Sequence, residues 1–172
     1  MKDTMDLKHV PLSNFDLIEL EPNIKITLSN DLGTLRNADE LVNQQGVGVL
    51  LFQFPPTKNG HWLGLIRKRD TFEVFDSFGN TLKSLPKDLR IKDVGQSQQL
   101  EDLIRKSGYK LIQNRKRLQG EDASCGRWVM LRLLFHQYSI DEFHQILKQF
   151  KDELRIDPLK LAILSTFDIN MT

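Results

Sequence analysis

The sequence is organised around the stretch LQGEDASCGRW, Leu118 to Trp128, which contains Cys125, the only cysteine of the chain. A polar, turn-forming run precedes this cysteine, and an apolar run that ends at Phe135 follows it. We therefore expect Cys125 in the first turn of a buried helix, where unpaired backbone N–H groups and the helix dipole stabilise a thiolate. Because the thiolate is the reactive form of cysteine, Cys125 is a candidate nucleophile.

Gln119 is a candidate partner, since it lies on the loop that enters this helix, six residues before Cys125. Its side-chain amide, together with the backbone N–H of Cys125, would supply two donors to a developing oxyanion. A lone cysteine is, however, more often a small buried hydrophobic residue than a nucleophile. Further partners must therefore come from elsewhere in the chain.

Length and composition indicate one domain, residues 1–172, with 40% hydrophobic and 27% charged residues, as in ordinary soluble globular proteins. A single cysteine allows no intrachain disulfide and favours a reducing, intracellular setting. The first residues lack the apolar core of a signal peptide, and no apolar run is long enough to span a membrane. The net charge of +1 gives no overall attraction to nucleic acids or membranes.

The pattern along the chain predicts an α+β fold with a central, mostly antiparallel sheet packed by helices and a helix-rich C-terminal third. Turn signals at 30–33 and 58–60 and the Pro55-Pro56 pair separate the early elements. Helical turns are predicted at 38–45, and 81–90 is predicted to be irregular or briefly helical. The predicted helices are 13–20, 97–106, 125–138, 139–154 and 157–166, and the predicted strands are 24–28, 47–54, 61–67, 71–77 and 109–114. Ser13, Ser139 and Asp157 are the predicted N-caps of three of these helices, and Ser139 opens a capping box with Glu142.

The strands 61–67 and 71–77 form a predicted hairpin that brings a histidine and a carboxylate together. With a four-residue loop from Arg67 to Asp70, the hairpin is centred so that His61 falls opposite Asp76. Directly opposed side chains share a face, with Cβ atoms about 4.5–5.5 Å apart. A cysteine, a histidine and an orienting carboxylate are the parts needed for thiolate attack on an acyl carbon. Alternatively, Asp76 only caps the turn that follows it.

The order of these motifs resembles a known family. The chain is similar to the adenovirus maturation protease (adenain) and its relatives in three motifs. They are Asn59-Gly60-His61-Trp62, then VFDSFG at 74–79, and then Gln119-Gly120 ahead of Ser124-Cys125-Gly126. These include the proteases of SUMO and other ubiquitin-like proteins and the maturation proteases of large DNA viruses, virophages and related transposons. The resemblance covers about 47–135.

The resemblance implies a papain-like site in permuted chain order, with Cys125, His61 and Asp76 as catalytic residues and Gln119 as oxyanion donor. It also implies substrates with glycine next to the cut and a cleft narrowed by Trp62. Substrate contacts of Gly60 and Gly126 follow from the same motifs.

Three departures from adenain bear on this expectation. Adenain has a glutamate in the position of Asp76 and one more residue between the glutamine and the cysteine, whereas this chain matches the ubiquitin-like-protein proteases in both respects. Adenain also binds a peptide cofactor through a disulfide to a second cysteine. No second cysteine exists here, so we expect no cofactor, or a DNA or peptide activator that is not disulfide-linked.

Arg115, Lys116 and Arg117 belong to a basic stretch, which is usually a solvated surface but can also bind DNA. The remaining histidines have no partner at metal-ligand spacing, so no metal site is predicted.

We therefore expect a cysteine endopeptidase that cleaves viral capsid or core precursor proteins during virion maturation, in the virion and the cytoplasm or nucleus of the infected cell. The expected partner is a polypeptide substrate, with DNA as a second candidate and no membrane. The alternatives are a deconjugating protease for a ubiquitin-like modifier, an acyltransferase effector on the same fold, and an inactive nucleic-acid-binding module.

Overall fold

The computed structural model describes residues 4–53, 60–88 and 95–166. These residues form a five-stranded sheet with helices in the C-terminal third, which confirms the predicted α+β class. The strands, in the order in which they lie in the sheet, are β1 (Lys25–Leu28), β2 (Val47–Gln53), β3 (Gly60–Arg67), β4 (Thr71–Phe75) and β5 (Lys110–Gln113). The helices are α1 (Asn14–Leu20), α2 (Leu85–Asp88), α3 (Gln96–Lys106), α4 (Cys125–Leu134), α5 (Ile140–Asp152) and α6 (Pro158–Leu164).

The sheet is mixed: its centre is antiparallel, as predicted, and its two edges are parallel, which the sequence did not predict. The β2–β3 and β3–β4 pairs are antiparallel, whereas β1–β2 and β4–β5 are parallel. A parallel pair needs a crossover connection between its strands. Two short 3-10 helices, Ser29–Thr34 and Ala38–Leu41, supply it for the first pair, and α2 and α3 supply it for the second. The permuted papain-like arrangement stays a prediction.

The β3–β4 hairpin has a tighter loop than the sequence suggested. The N–H of Lys68 donates to the carbonyl of Thr71 at 2.8 Å, which leaves a two-residue loop at 69–70, the commonest hairpin length. Gly64 therefore pairs with Phe75, and the predicted pairing of His61 with Asp76 is wrong. Because the register differs by two residues on one strand, each side chain still lies on its expected face.

The local helix signals are confirmed at their start points. Ser13 and Ser139 form capping boxes at the beginnings of α1 and α5, and the side chain of Asp157 caps α6. The helical turns expected over 38–45 are limited to Ala38–Leu41, because the side chain of Asn43 accepts the N–H groups of the next turn. A 3-10 helix at Thr4–His9 was not predicted.

Other boundaries differ by a few residues. Helix α4 ends at Leu134 rather than at 138, because i to i−3 bonds replace helical bonds beyond that point. Helices α5 and α6 each end two residues earlier than predicted. The predicted end of β2 at Phe54, the Pro55-Pro56 break, most of the 58–60 turn and the last two residues of 81–90 lie outside the described residues.

The sheet separates two hydrophobic cores, and α4 lies in one of them against β3. Every residue of α4 except Leu134 is buried, which is expected for a helix with apolar residues on all sides. Arg132 is also buried and makes a bidentate ion pair with Glu73 of β4, at 2.8 and 3.0 Å. Breaking such a pair is costly because it leaves an uncompensated buried charge. The pair therefore fixes α4, and with it Cys125, against the sheet.

Candidate active site

Cys125 is the first residue of α4, as predicted, and its side chain is buried at the edge of a cleft. Backbone N–H groups of Trp62 and Gly126 donate to the thiol, and the imidazole of His61 forms a side-chain hydrogen bond with it. The helix start and strand β3 therefore meet at the sulfur atom. This arrangement places donors around the position where a thiolate would carry its charge.

His61 and Asp76 are in direct contact although they are not paired in the sheet. Nε2 of His61 lies 2.5 Å from Oδ1 of Asp76, and the two side chains are 4% and 3% exposed. Since Asp76 occupies Nε2, the ring nitrogen that remains for the thiol is Nδ1. The imidazole also stacks on Phe78, with 5.1 Å between the ring centroids. The histidine thus has a fixed orientation between the acid and the thiol.

The carboxylate of Asp76 also caps the turn that follows β4. Oδ1 accepts the N–H of Phe78 and Oδ2 accepts the N–H of Asn80, both at 3.1 Å. The turn cap and the histidine partner were alternatives in the sequence, and the structure shows that one carboxylate does both. These backbone donors fix the position of the carboxylate.

The electrostatics of His61 and Cys125 favour a thiolate beside an imidazolium. Burial by itself lowers the pKa of His61, but the hydrogen bonds and charges of Asp76 and Cys125 outweigh it and raise that pKa to about 9. Burial raises the pKa of Cys125, and the hydrogen bond and charge of His61 outweigh it, with a net lowering. The two groups titrate as a coupled pair, and both directions favour the ionised form near neutral pH.

Gln119 is buried on the loop before α4, and both ends of its carboxamide have partners. Oε1 accepts the hydroxyl of Ser77 at 2.6 Å, and Nε2 donates to the carbonyl of Asp122 at 2.7 Å. The carboxylate of Asp122 accepts the N–H and the hydroxyl of Ser124, the residue immediately before Cys125. Gln119 is thereby linked to the start of the helix, and its role as oxyanion donor stays a prediction.

Asn114 is a buried residue of the site that the sequence analysis missed. Its Nδ2 donates to the backbone carbonyls of Asp76 at 2.7 Å and Lys116 at 2.9 Å. Its Oδ1 accepts from Nε2 of His144 at 3.0 Å; burial lowers the pKa of His144 to about 4. Asn114 therefore holds the backbone of the acid from the neighbouring strand end. The only signal for Asn114 in the sequence was that the predicted strand ends there. Asp76, whose carbonyl it binds, lies 38 residues away.

A cleft of about 590 Å³ opens beside Cys125. Trp62 is almost fully buried in its wall, and its indole N–H donates to the carbonyl of Leu12 at 2.9 Å. The N-terminal segment therefore also lines the cleft, next to Trp62, which the sequence did not predict. The residues that line the cleft are His9, Pro11, Leu12, Ser13, Asn14, Leu51, Gly60, Trp62, Ala123 and Cys125.

Gly60 and Gly126 occupy positions where a side chain does not fit easily. A Cβ on Gly126 would lie 3.1 Å from Cβ of Leu12 and 3.2 Å from Cδ1 of Trp62. A Cβ on Gly60 would lie 2.6 Å from Cδ1 of Leu51. Close packing thus explains both glycines, and their contacts with substrate stay a prediction.

Arg115, Lys116 and Arg117 are all exposed, but Arg117 also belongs to the framework of the site. Its Nε donates to the carbonyl of Gln119 at 2.9 Å, and its guanidinium lies over the ring of Phe78 at 5.2 Å. Binding of nucleic acid by the three residues stays a prediction.

The described residues contain neither a candidate metal cluster nor a helix that could span a membrane. Within 4–53, 60–88 and 95–166, no group of three or more His, Cys, Asp or Glu side chains could hold a metal ion. No helix in those same ranges has the length and apolar character needed to cross a bilayer.

Comparisons with known proteins find similarity to a viral protein sequence and to solved structures. No family model matches the chain. Uncharacterized protein V9 of Sputnik virophage is 32% identical over 176 residues, which cover 96% of this chain and 99% of the virophage protein. The crystal structure of the pS273R protease of ASFV aligns with a TM-score of 0.46 and 13% identity, over 91% of this chain and 66% of the protease chain.

Proposed function

This chain belongs to the same family as uncharacterized protein V9 of Sputnik virophage, and on that premise we propose that it is a viral cysteine endopeptidase. The observation that carries the proposal is the position of His61, which is hydrogen-bonded to Asp76 at 2.5 Å and to the thiol of Cys125. A structural cysteine in a core needs no such partner. A nucleophile needs a base, and the base needs a group that orients it.

The proposed reaction begins with the thiolate of Cys125 attacking the carbonyl carbon of the scissile peptide bond. The C–S bond forms while the π pair of the carbonyl moves to oxygen, and the backbone N–H of Cys125 and Nε2 of Gln119 stabilise this oxyanion. The imidazolium of His61 gives its Nδ1 proton to the amide nitrogen as the C–N bond breaks and the amine leaves.

Water completes the reaction. Neutral His61 removes a proton from a water molecule, which attacks the thioester, and the acid product leaves as the thiolate re-forms. Asp76 orients the imidazole and stabilises each imidazolium that appears.

We further propose that the substrates are capsid or core precursor proteins, cut next to small residues during virion maturation. The virophage relative supports a viral setting. The cleft supports a restricted substrate, because Trp62 and Leu12, which both line it beside Cys125, are held to each other by a hydrogen bond. Lining residues that are fixed in this way leave little freedom to admit a bulky side chain beside Cys125.

The test is incubation of the purified protein with the structural proteins of its source particle, followed by sequencing of new N-termini. We expect new ends after small residues, and none with Cys125→Ala. A fusion whose upstream part is a ubiquitin-like modifier is included in parallel. Cleavage of that fusion alone would favour a deconjugating protease, and no cleavage of any protein would contradict the proposal.

The exposed side chains of Arg115 and Lys116 support DNA as an accessory ligand. We expect added DNA to raise the cleavage rate at low salt and the effect to fall at high salt. The pair of changes Arg115→Ala and Lys116→Ala removes the effect. A rate that does not respond to DNA at low salt would contradict this role.

A further inference from the structure

Ser77 is a fully buried serine that follows the acid of the site and has three bonds to the loop before α4. Its hydroxyl donates to Oε1 of Gln119 at 2.6 Å. Its backbone carbonyl accepts the N–H groups of Leu118 at 2.8 Å and Gln119 at 3.0 Å. A single residue therefore holds both the main chain and the side chain of Gln119. The same residue is covalently joined to Asp76.

The hydroxyl of Ser77 and the carbonyl of Asp122 together orient the carboxamide of Gln119. The carbonyl can only accept and therefore requires the nitrogen, and the hydroxyl then donates to the oxygen and holds it in place. A carboxamide has an accepting oxygen and a donating nitrogen on opposite sides, and a half-turn exchanges them. In the structure, the hydroxyl meets the oxygen and the carbonyl of Asp122 meets the nitrogen. A half-turn would place Oε1 against the carbonyl oxygen of Asp122. It would also offer an acceptor, rather than a donor, to any oxyanion.

The nitrogen of Gln119 retains capacity for a second acceptor. Of its two hydrogens, one is used by the carbonyl of Asp122 at 2.7 Å, and the carboxylate of Asp122 is more distant, at 3.4 Å. The weaker contact is the one that a charged oxyanion can replace, because hydrogen bonds to ionised groups are the stronger ones.

We propose that Ser77 is a positioning residue, which fixes the carboxamide of Gln119 with its nitrogen available to the oxyanion of the transition state. The inference rests on the proposed endopeptidase function. It adds that Asp76, which orients His61, and Ser77, which positions Gln119, are adjacent residues. One turn after β4 therefore orients two parts of the site.

The first test separates stabilisation of the oxyanion from reactivity of the thiolate. A peptide aldehyde accepts the thiolate of Cys125 at its carbonyl carbon, with a new C–S bond, and the resulting oxygen takes the place of the oxyanion. Iodoacetamide is attacked at its CH₂ carbon, and iodide leaves without formation of an oxyanion. In Ser77→Ala, we expect aldehyde inhibition to weaken about 10- to 100-fold, with the rate of alkylation unchanged. The kcat should fall by a similar factor while KM changes little.

The second test is a double-mutant cycle. Gln119→Ala removes the donor itself and should lower kcat by about 10²–10³-fold. If Ser77 acts through Gln119, then adding Ser77→Ala to Gln119→Ala gives no further loss. Ser107→Ala is the matched control, because that hydroxyl is also hydrogen-bonded inside the fold, to Leu103 and Ala38 beside α3. We expect it to leave kcat unchanged.

Three outcomes would overturn the inference while leaving the endopeptidase proposal intact. They are an unchanged kcat in Ser77→Ala, losses that multiply in the double variant, and equal effects on aldehyde inhibition and alkylation. If Ser77→Ala does not fold by circular dichroism, the nearly isosteric Ser77→Cys, with its weak S–H donor, is assayed by aldehyde inhibition. Inhibition at the wild-type level would then overturn the inference. Failure of the wild-type protein to cleave or to be labelled would instead refute the proposed function itself.

Discussion

Nε2 of His61 lies 2.5 Å from Oδ1 of Asp76, although neither residue faces the other across the β3–β4 hairpin. The β3–β4 pairing ends at Gly64 and Phe75, so His61 has no partner in β4, and its ring stacks instead on Phe78 of the following turn. Asp76 reaches the imidazole because β4 ends at Phe75 and the chain turns there, with the carboxylate bound to the N–H groups of that turn. The turn after the strand, and not the strand pairing, thus makes the contact.

We expect Cys125→Ala to abolish cleavage and leave the fold intact, because the change removes one sulfur atom at the edge of a cleft. In the wild-type protein, iodoacetamide should label Cys125 near neutral pH faster than a free thiol of pKa about 8.5. Circular dichroism and thermal unfolding provide the control for folding. Unchanged cleavage by the purified variant would remove the mechanism, and labelling at the free-thiol rate would contradict a thiolate in the resting protein.

His61→Ala should cost more activity than Asp76→Asn. The first change removes both the partner of the thiolate and the proton donor to the leaving amine. The second only weakens the orientation of the imidazole and removes the negative charge that stabilises the imidazolium. We expect a loss of about 10–10³-fold in kcat/KM for Asp76→Asn, below the roughly 10⁴ of the serine-protease case, because a thiol needs less help from its base. Turnover of one peptide by both variants is the measurement. Equal losses would give the acid a larger role, and no loss in either would make Cys125 a structural cysteine.

The pH profile of kcat/KM should have a basic limb near pH 9, where the imidazolium of His61 loses its proton. The raised pKa means that the ion pair is present across neutral pH and is lost as the pH rises through that value. Burial opposes this shift, and Asp76 makes the largest contribution to it. In Asp76→Asn, the basic limb should therefore move to lower pH.

Asp39→Asn is the control for this profile, since it removes a carboxylate that pairs with Arg67 at the surface. We expect its basic limb to coincide with that of the wild-type protein. A basic limb that stays in place in Asp76→Asn would mean that the acid does not set the protonation of His61.

Gly126→Ala should lower both stability and activity, because its Cβ would press on Leu12 and Trp62 at 3.1 and 3.2 Å. Overpacking of this kind costs about 1–3 kcal/mol in the free energy of unfolding. Displacement of either side chain would also change the cleft beside Cys125. Gly33→Ala is the matched control, since its Cβ would meet only Nε2 of Gln99 at 3.8 Å. Denaturant unfolding and kcat/KM measure both effects, and a Gly126→Ala protein that behaved like Gly33→Ala would show that the walls of the cleft are free to move.

The sequence by itself determined those features that arise from bonds within a few residues. The capping boxes at Ser13 and Ser139 and the start of a buried helix at Cys125 depend on side chains three or four positions apart and on the polar-to-apolar change. The face of the hairpin on which His61 lies is also local, because side chains alternate along a strand whatever the register. These predictions are confirmed.

Tertiary structure alone decided which distant groups meet. The carboxamide of Gln119 and the hydroxyl of Ser77 are 42 residues apart, and Trp62 and its acceptor Leu12 are 50 apart. Such contacts depend on the loop length of the hairpin and on the crossovers that make the edges of the sheet parallel. Neither leaves a periodic signal in the sequence, because each depends on how packed elements close on one another rather than on the residues adjacent in the chain.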